Sequence, residues 1–340
     1  MIISNKKRAC FFTHESREQI EKEHYTISDI KILKELGFSV TVATKFKEIP
    51  WNCDLYFSWW TSGSILPLIK AKISKKPIIV IAGGQEAMFN RDSITNKPIG
   101  YLATPWYKKL ATRITLRCAT KVLAVSRYMI KDIKRLGANN PLVVYNCVDT
   151  KLFSPLNSSK KYITTIFNSY KNVVKIKRGE ILIRSIPFVL KKFPKQKFII
   201  IGEKGNASQN LKNLISKLGV NKNIELIGRI NRLEMPKWLQ ESKAYVQISD
   251  TETFGLSVAE AMSCGTPVIV SNRGAIPEIV KNYGIYVDHN NPKSVASGII
   301  DLLKKEKKYH TTGIEARSMI VKNFSYEKRK KSIKEIIKNI

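Results

Sequence analysis

Short apolar runs alternate with longer amphipathic stretches along most of the chain. Runs 9–12, 38–43, 55–59, 77–81, 122–125 and 142–145 are short, apolar and partly β-branched, which predicts strands. Between them, 17–36 carries Ile27, Ile30 and Leu33 at helical spacing and meets Gly37 as a stop. Stretches 63–74, 106–119 and 127–136 also read as helices. The periodicity then lapses over 149–161, where Pro155, Asn157, Ser158 and Ser159 predict a linker. Strands are next expected at 163–167, 198–201, 224–227, 244–248, 267–270 and 285–287. Helices are expected at 179–192, 211–218, 235–240, 256–263, 277–280, 292–305, 312–322 and 326–337. Repeated β-α order predicts parallel, doubly wound sheets. The chain therefore reads as two Rossmann-like halves, 1–150 and 151–322, followed by a terminal helix within 323–340 expected to pack back on the first half.

The 340 residues suit about two domains. Charge changes the picture more: 59 Lys and Arg against 27 Asp and Glu give +32. Three kinds of partner fit that excess: nucleic acid, an anionic membrane face or an anionic small substrate. A lysine-rich compositional habit fits it equally. Nucleic acid is disfavoured, because no helix-turn-helix, RNP pattern or zinc ligand set is visible and the basic residues are dispersed. Five cysteines without a CxxC pair predict neither a zinc site nor a disulfide framework, and point to a cytoplasmic, reducing setting. The start of the chain lacks the apolar core of a signal peptide, and no apolar run reaches 18 residues.

The most informative stretch is 249–271. A buried strand ends near Ile248, a polar turn carries Glu252 and Gly255, a helix starts near Leu256, and Gly265 stops it before Pro267. Ligands of open α/β sheets sit outside the carboxyl ends of strands, where a helix start offers free N–H groups. Glu252 on the turn suits a polyol, and Glu260, about one helical turn inside, suits two vicinal hydroxyls such as those of a ribose. Alone, either glutamate would read as a solvated or capping residue.

Together they are more specific. Glu252-x₇-Glu260 with Phe254-Gly255, then Ala261-Met262-x-x-Gly265-x-Pro267-Val268-Ile269, resembles the donor-site run of the retaining GT-B glycosyltransferases of family four, the group 1 enzymes. Gly274-x-x-Pro277-Glu278-Ile279-Val280 is similar to the segment that follows it, and the likeness extends over roughly 120–340. The resemblance implies a GT-B fold, two Rossmann-like domains facing an interdomain cleft, with donor bound by the second domain and acceptor by the first. It implies that Glu252 contacts the transferred sugar. Phe254, Gly255 and Leu256 would offer backbone N–H groups, with Thr253 in the same donor-side turn, and Glu260 would hold the ribose. Arg229 and Ile230 would lie in the loop that reads the base, and Gly202 at the matching strand end one unit earlier. Arg178-Gly179 stands where the family has Lys-Gly facing the diphosphate, Lys177 precedes it as another donor-side cation, and Lys171 or Lys175 replaces an absent upstream Arg.

The first half departs from the family: Phe12-Thr13-His14-Glu15-Ser16 replaces a Gly-Gly loop. His14, Trp60, Gly84, Gln85 and Glu86 lie at predicted strand ends and are candidate acceptor residues. No DxD triplet or metal-ligand spacing appears, so a metal-independent site without cofactor is expected. The implied activity is transfer of a sugar from a UDP- or GDP-linked donor to a glycan or lipid-linked acceptor, in surface polysaccharide, lipopolysaccharide or glycolipid synthesis. Alternatives are GT-B enzymes of other chemistry, namely a sugar-nucleotide epimerase or a phosphorylase, and a non-enzymatic basic binding protein. Lys328, Arg329, Lys330, Lys331 and Lys334 make the last helix a candidate contact for an anionic inner membrane face.

Overall fold

The structure, a computed structural model, describes residues 6–340. The chain forms two units: one runs up to Cys147 and takes in Tyr326–Ile340, the other is Val148–Ser325.

In the first unit the order is β1 (Arg8–Phe12), α1 (Arg17–Lys22), α2 (His24–Glu35), β2 (Ser39–Ala43), β3 (Leu55–Trp59), α3 (Ile65–Ile73), β4 (Ile78–Ala82), a β5–β6 hairpin (Phe89–Arg91, Pro98–Gly100), α4 (Trp106–Cys118), β7 (Lys121–Ala124), α5 (Ile130–Arg135) and β8 (Leu142–Val143). Six strands form a parallel sheet in the order β2-β1-β3-β4-β7-β8. β3 and β4 are buried at every position, as expected of parallel strands covered on both faces. Strand order reverses between β1 and β3, so the loops after those strands diverge and leave a crevice at their carboxyl ends.

The single helix expected over 17–36 is two. Ser16 and Gln19 make a reciprocal capping box for α1, and extended backbone at Glu23 ends it before α2 begins. The hairpin β5–β6 was not anticipated, and the strand expected over 142–145 stops at Val143.

In the second unit the order is β9 (Tyr162–Ile166), α6 (Lys171–Ile176), α7 (Gly179–Leu190), β10 (Lys197–Ile201), α8 (Ser208–Lys217), β11 (Ile224–Gly228), α9 (Met235–Gln240), β12 (Ser242–Gln247), α10 (Leu256–Ser263), β13 (Val268–Ser271), α11 (Ile276–Val280), β14 (Gly284–Val287), α12 (Pro292–Lys304) and α13 (Glu306–Phe324). Its parallel sheet is ordered β11-β10-β9-β12-β13-β14, with the reversal between β9 and β12. Ile163, Phe198, Ile200 and Val246 pack against Leu182, Ile186, Leu211 and Ile299 of the flanking helices. Residues 312–322, expected as a helix, are part of the longer α13, and α6 lies in what reads as a loop.

The last helix, α14 (Tyr326–Lys338), belongs to the first unit. Arg329 anchors it. Its Nε and Nη2 donate to the two Asp29 oxygens at 2.6 and 2.7 Å, and Nη1 donates to the carbonyls of Val144 and Tyr145. Trp59 Nε1 donates to the same carboxylate at 2.9 Å. Lys330 pairs with Glu35 at 2.7 Å. These two cations of the expected basic face are thus engaged within the protein. The rest of that exposed face mixes Glu327 and Glu335 among its lysines.

Candidate active site

The reversal in the second sheet brings the loops after β9 and β12 together. Lys177, in the loop after β9, puts Nζ 2.5 Å from Glu252 Oε1, in the loop after β12. Gln247 Nε2, at the end of β12, donates to the same oxygen at 3.0 Å, and Tyr245 Oη donates to Gln247 Oε1 at 2.7 Å. The chain Tyr245–Gln247–Glu252–Lys177 thus aims one carboxylate oxygen and leaves Oε2 outside these bonds. Tyr245 is buried, and burial with the nearby Glu252 charge raises its pKa, so it stays a neutral donor. Glu252 keeps 14% of its side-chain area exposed, enough to meet a ligand.

The backbone under Glu252 is clamped by the segment after β13. Ala275 N–H donates to Glu252 O at 2.9 Å, and Gly274 turns at φ +61°. A Cβ at Gly274 would lie 2.4 Å from Glu252 O, so only glycine permits that approach. Phe254 is buried edge-on against Phe324, with centroids 5.8 Å apart. Thr253, half-buried, precedes it, and Gly255 leads into α10, whose first turn has no side-chain cap. The N–H groups at Leu256 and just after it therefore carry the positive end of the helix dipole.

Glu260, one turn into α10, is buried and pairs with Arg232 Nη2 at 2.7 Å. Burial pushes its pKa up, and the Arg232 charge opposes that rise. Arg232 also lies over the Phe153 ring, 5.0 Å from its centroid. Gly202 N–H donates to Gly228 O at 2.9 Å, which joins the ends of β10 and β11. Arg229 is half-exposed, 4.0 Å from Glu203, and Ile230 is partly buried beside Ile201 and Trp238.

Arg178 requires a correction. As the residue in the family's Lys position, it was expected to face the diphosphate. It is instead 4% exposed, held at φ +52°, and paired with buried Asp250 at 3.1 Å. His289 Nε2 lies 3.0 Å from the other Asp250 oxygen, and Arg273 Nε donates to Asp250 O. Arg178 therefore braces the loop that carries Glu252, and Lys177 is the cation beside that carboxylate. Gly179 starts α7 against Phe167, and Lys171 and Lys175 are exposed on α6. Gln247, Asp250, His289 and Arg232 were missed; only their places at or near strand ends hint at them.

The reversal in the first sheet similarly joins the loops after β1 and β3. A cavity of about 580 Å³ lies there, lined by His14, Glu15, Trp60, Glu86, Thr104 and Lys108 among others. The His14 and Trp60 rings are 6.1 Å apart. Trp60 sits at φ +70°, and its buried Nε1 has no hydrogen-bond partner. Burial lowers the His14 pKa against the pull of Glu15, and raises that of Glu86 against the donors of Thr61. Gly84 and Gln85 do not line the cavity. A Cβ at Gly84 would strike Glu86 Oε2 at 2.1 Å, so this residue makes room for the site. Another cavity, about 820 Å³, opens at the amino ends of β9, β10 and β11, the opposite end of the second sheet from Glu252. Among the described residues, no group of three or more His, Cys, Asp or Glu side chains could hold a metal ion.

Two Rossmann-like units, each with its polar residues at a sheet reversal, define a GT-B glycosyltransferase fold. Residues 151–319 match the family described as "Glycosyl transferases group 1". The chain belongs to that family. It is 25% identical over 337 residues to an uncharacterized glycosyltransferase of Methanocaldococcus jannaschii, covering 96% of this chain and 89% of that one. It is 25% identical over 222 residues to the N-acetyl-alpha-D-glucosaminyl L-malate synthase of Bacillus anthracis, covering 61% of this chain and 56% of the synthase. In fold it is similar to HepE of Anabaena, whose crystal structure holds UDP and glucose. There the TM-score is 0.80 at 16% identity, over 98% of this chain and all of HepE.

Proposed function

We propose that the protein transfers a sugar, with retention of anomeric configuration, from a UDP- or GDP-linked donor to a glycan or lipid-linked acceptor in glycolipid or surface polysaccharide synthesis. The observation that carries this reading is the Lys177–Glu252 pair at the reversal of the second sheet, 2.5 Å apart and held by Gln247. A departing nucleoside diphosphate gathers negative charge, and a fixed cation there stabilises it. Lys177 is placed for that role, assisted by the N–H groups at the start of α10. Glu252 accepts hydrogen bonds from the sugar through its remaining oxygen, and Glu260 holds the ribose. The departing phosphate oxygen takes the acceptor proton on the face it leaves, so no protein general base is needed. The cavity of His14, Trp60 and Glu86 takes the acceptor.

The HepE complex, with UDP and glucose in the same fold, supports a nucleotide-sugar donor. Lysine and backbone donors support a reaction that needs no metal. The test is transfer measured with a panel of sugar nucleotides, read by product anomeric configuration. Glu252→Ala is expected to abolish transfer while the thermal transition and nucleoside diphosphate binding persist, and EDTA to leave wild-type turnover unchanged. Wild-type turnover by Glu252→Ala, or a loss with EDTA reversed by Mn²⁺, would contradict the reading.

A further inference from the structure

Helix α4 is built inside out. Thr112, Thr115 and Leu116 are its buried residues, whereas Trp106, Tyr107, Leu110 and Ile114 are 76%, 55%, 51% and 40% exposed. At about 100° per residue, those four side chains and Arg113 and Arg117 fall on one outward arc of about 120°, with Arg113 Nε also donating to Tyr101 Oη at 3.0 Å. The helix carries Lys108, Lys109, Arg113 and Arg117 and no acidic residue. Neighbouring α3 also exposes Ile69 and Ile73. Four bulky apolar side chains in solvent on one helix are unusual for a face without a partner.

We propose that the outward face of α4 seats on the surface of an anionic lipid bilayer, its aromatic and aliphatic side chains at the headgroup–acyl boundary and its arginines on lipid phosphates. Trp and Tyr favour that boundary, and arginine stems reach along apolar surface to keep their heads at the phosphates. A second copy of the chain is disfavoured as the occupant, because like faces would set the arginine pair of one copy against that of the other. No described helix is long and apolar enough to cross a membrane, so this is attachment to a surface. The placement deepens the acceptor half of the reading above and rests on it for that purpose. Ala103, Thr104, Pro105 and Lys108, at the start of α4, line the His14–Trp60–Glu86 cavity. A lipid-linked acceptor in the bilayer would thus present its headgroup at the mouth of that cavity.

The test is flotation of the full chain with phosphatidylcholine vesicles, with and without 30% phosphatidylglycerol, at about 0.1 M salt. Wild type is expected to float with the anionic vesicles, with its tryptophan emission quenched by brominated acyl chains. Trp106→Ser/Leu110→Ser should abolish both signals. Arg113→Gln/Arg117→Gln should weaken binding about 25-fold, about fivefold for each cation. Lys328→Gln/Lys331→Gln, on α14, should bind as wild type does. Sugar-nucleotide binding, measured without vesicles, should match wild type in all three variants, and so should the thermal transitions of the two that keep the Arg113–Tyr101 bond. Those controls separate failure of the surface from failure of the transferase reading. No wild-type flotation, unchanged binding by Trp106→Ser/Leu110→Ser, or loss in the α14 variant would overturn the proposal. So would a dimer that the Trp106 variant dissociates.

Discussion

Arg232→Met probes the donor side most sharply. Glu260 is buried, which raises its pKa, and Arg232, 2.7 Å away, opposes the rise. Methionine keeps the volume and removes the charge, so Glu260 stays protonated to a higher pH. A carboxylate accepts from two vicinal hydroxyls; the acid spends one oxygen as a donor. Hydrogen bonds to a charged group contribute about 1.5–3 kcal/mol, which corresponds to about 10- to 150-fold in Kd. Calorimetric titration with UDP and with GDP as a function of pH should show that loss at the acid end for the variant, with recovery as pH rises. Wild type should hold its affinity to a lower pH. Stability has its own sign. The folded pKa of Glu260 lies above the ordinary glutamate value, so between the two the unfolded chain holds fewer protons and stability falls as pH rises. Unchanged affinity in the variant would refute Glu260 as the ribose acceptor. An equal loss at every pH would instead make Arg232 a direct ligand contact and refute its role through Glu260.

Two further outcomes follow from packing. Arg329→Met leaves Asp29 buried with only the Trp59 donor named above, and breaking such a pair costs about 3–5 kcal/mol; the urea midpoint should fall accordingly, and a change below 1 kcal/mol would contradict the anchoring of α14. Gly274→Ala pushes a Cβ into the Glu252 backbone, 2.4 Å from its carbonyl oxygen, and a displacement of about 1 Å at a reacting group costs about 100-fold in rate; wild-type kcat in this variant would show that the clamp does not position Glu252.

The two parallel sheets were legible because their strands are short, apolar and separated by amphipathic runs. Most of the candidate site residues were legible as strand-end positions, since parallel order puts every such loop on one edge. What escaped was set by contacts distant in sequence. The Arg329–Asp29 pair spans 300 residues, and no local pattern announces it. The exchange of places between Lys177 and Arg178 depends on the left-handed backbone at Arg178 and on buried Asp250, neither visible as a motif. Arg232 on Glu260 and Gln247 on Glu252 are likewise partnerships between separate loops. The break at Glu23 has no such signal, since Ser16-x-x-Gln19 marks only the start of α1 and the hydrophobic period runs through Glu23. The solvent-facing stripe of α4 could not be told from a core stripe, since both have the same period and only the sheet decides which face is buried.

The most direct test is a crystal structure of the protein with its nucleoside diphosphate-sugar. Ribose hydroxyls should lie on the Glu260 carboxylate, the diphosphate against Lys177 and the start of α10, and the sugar on Glu252. A nucleotide bound at the amino ends of the second sheet, or bound with Glu260 still engaged by Arg232 alone and Lys177 away from the phosphates, would contradict this placement.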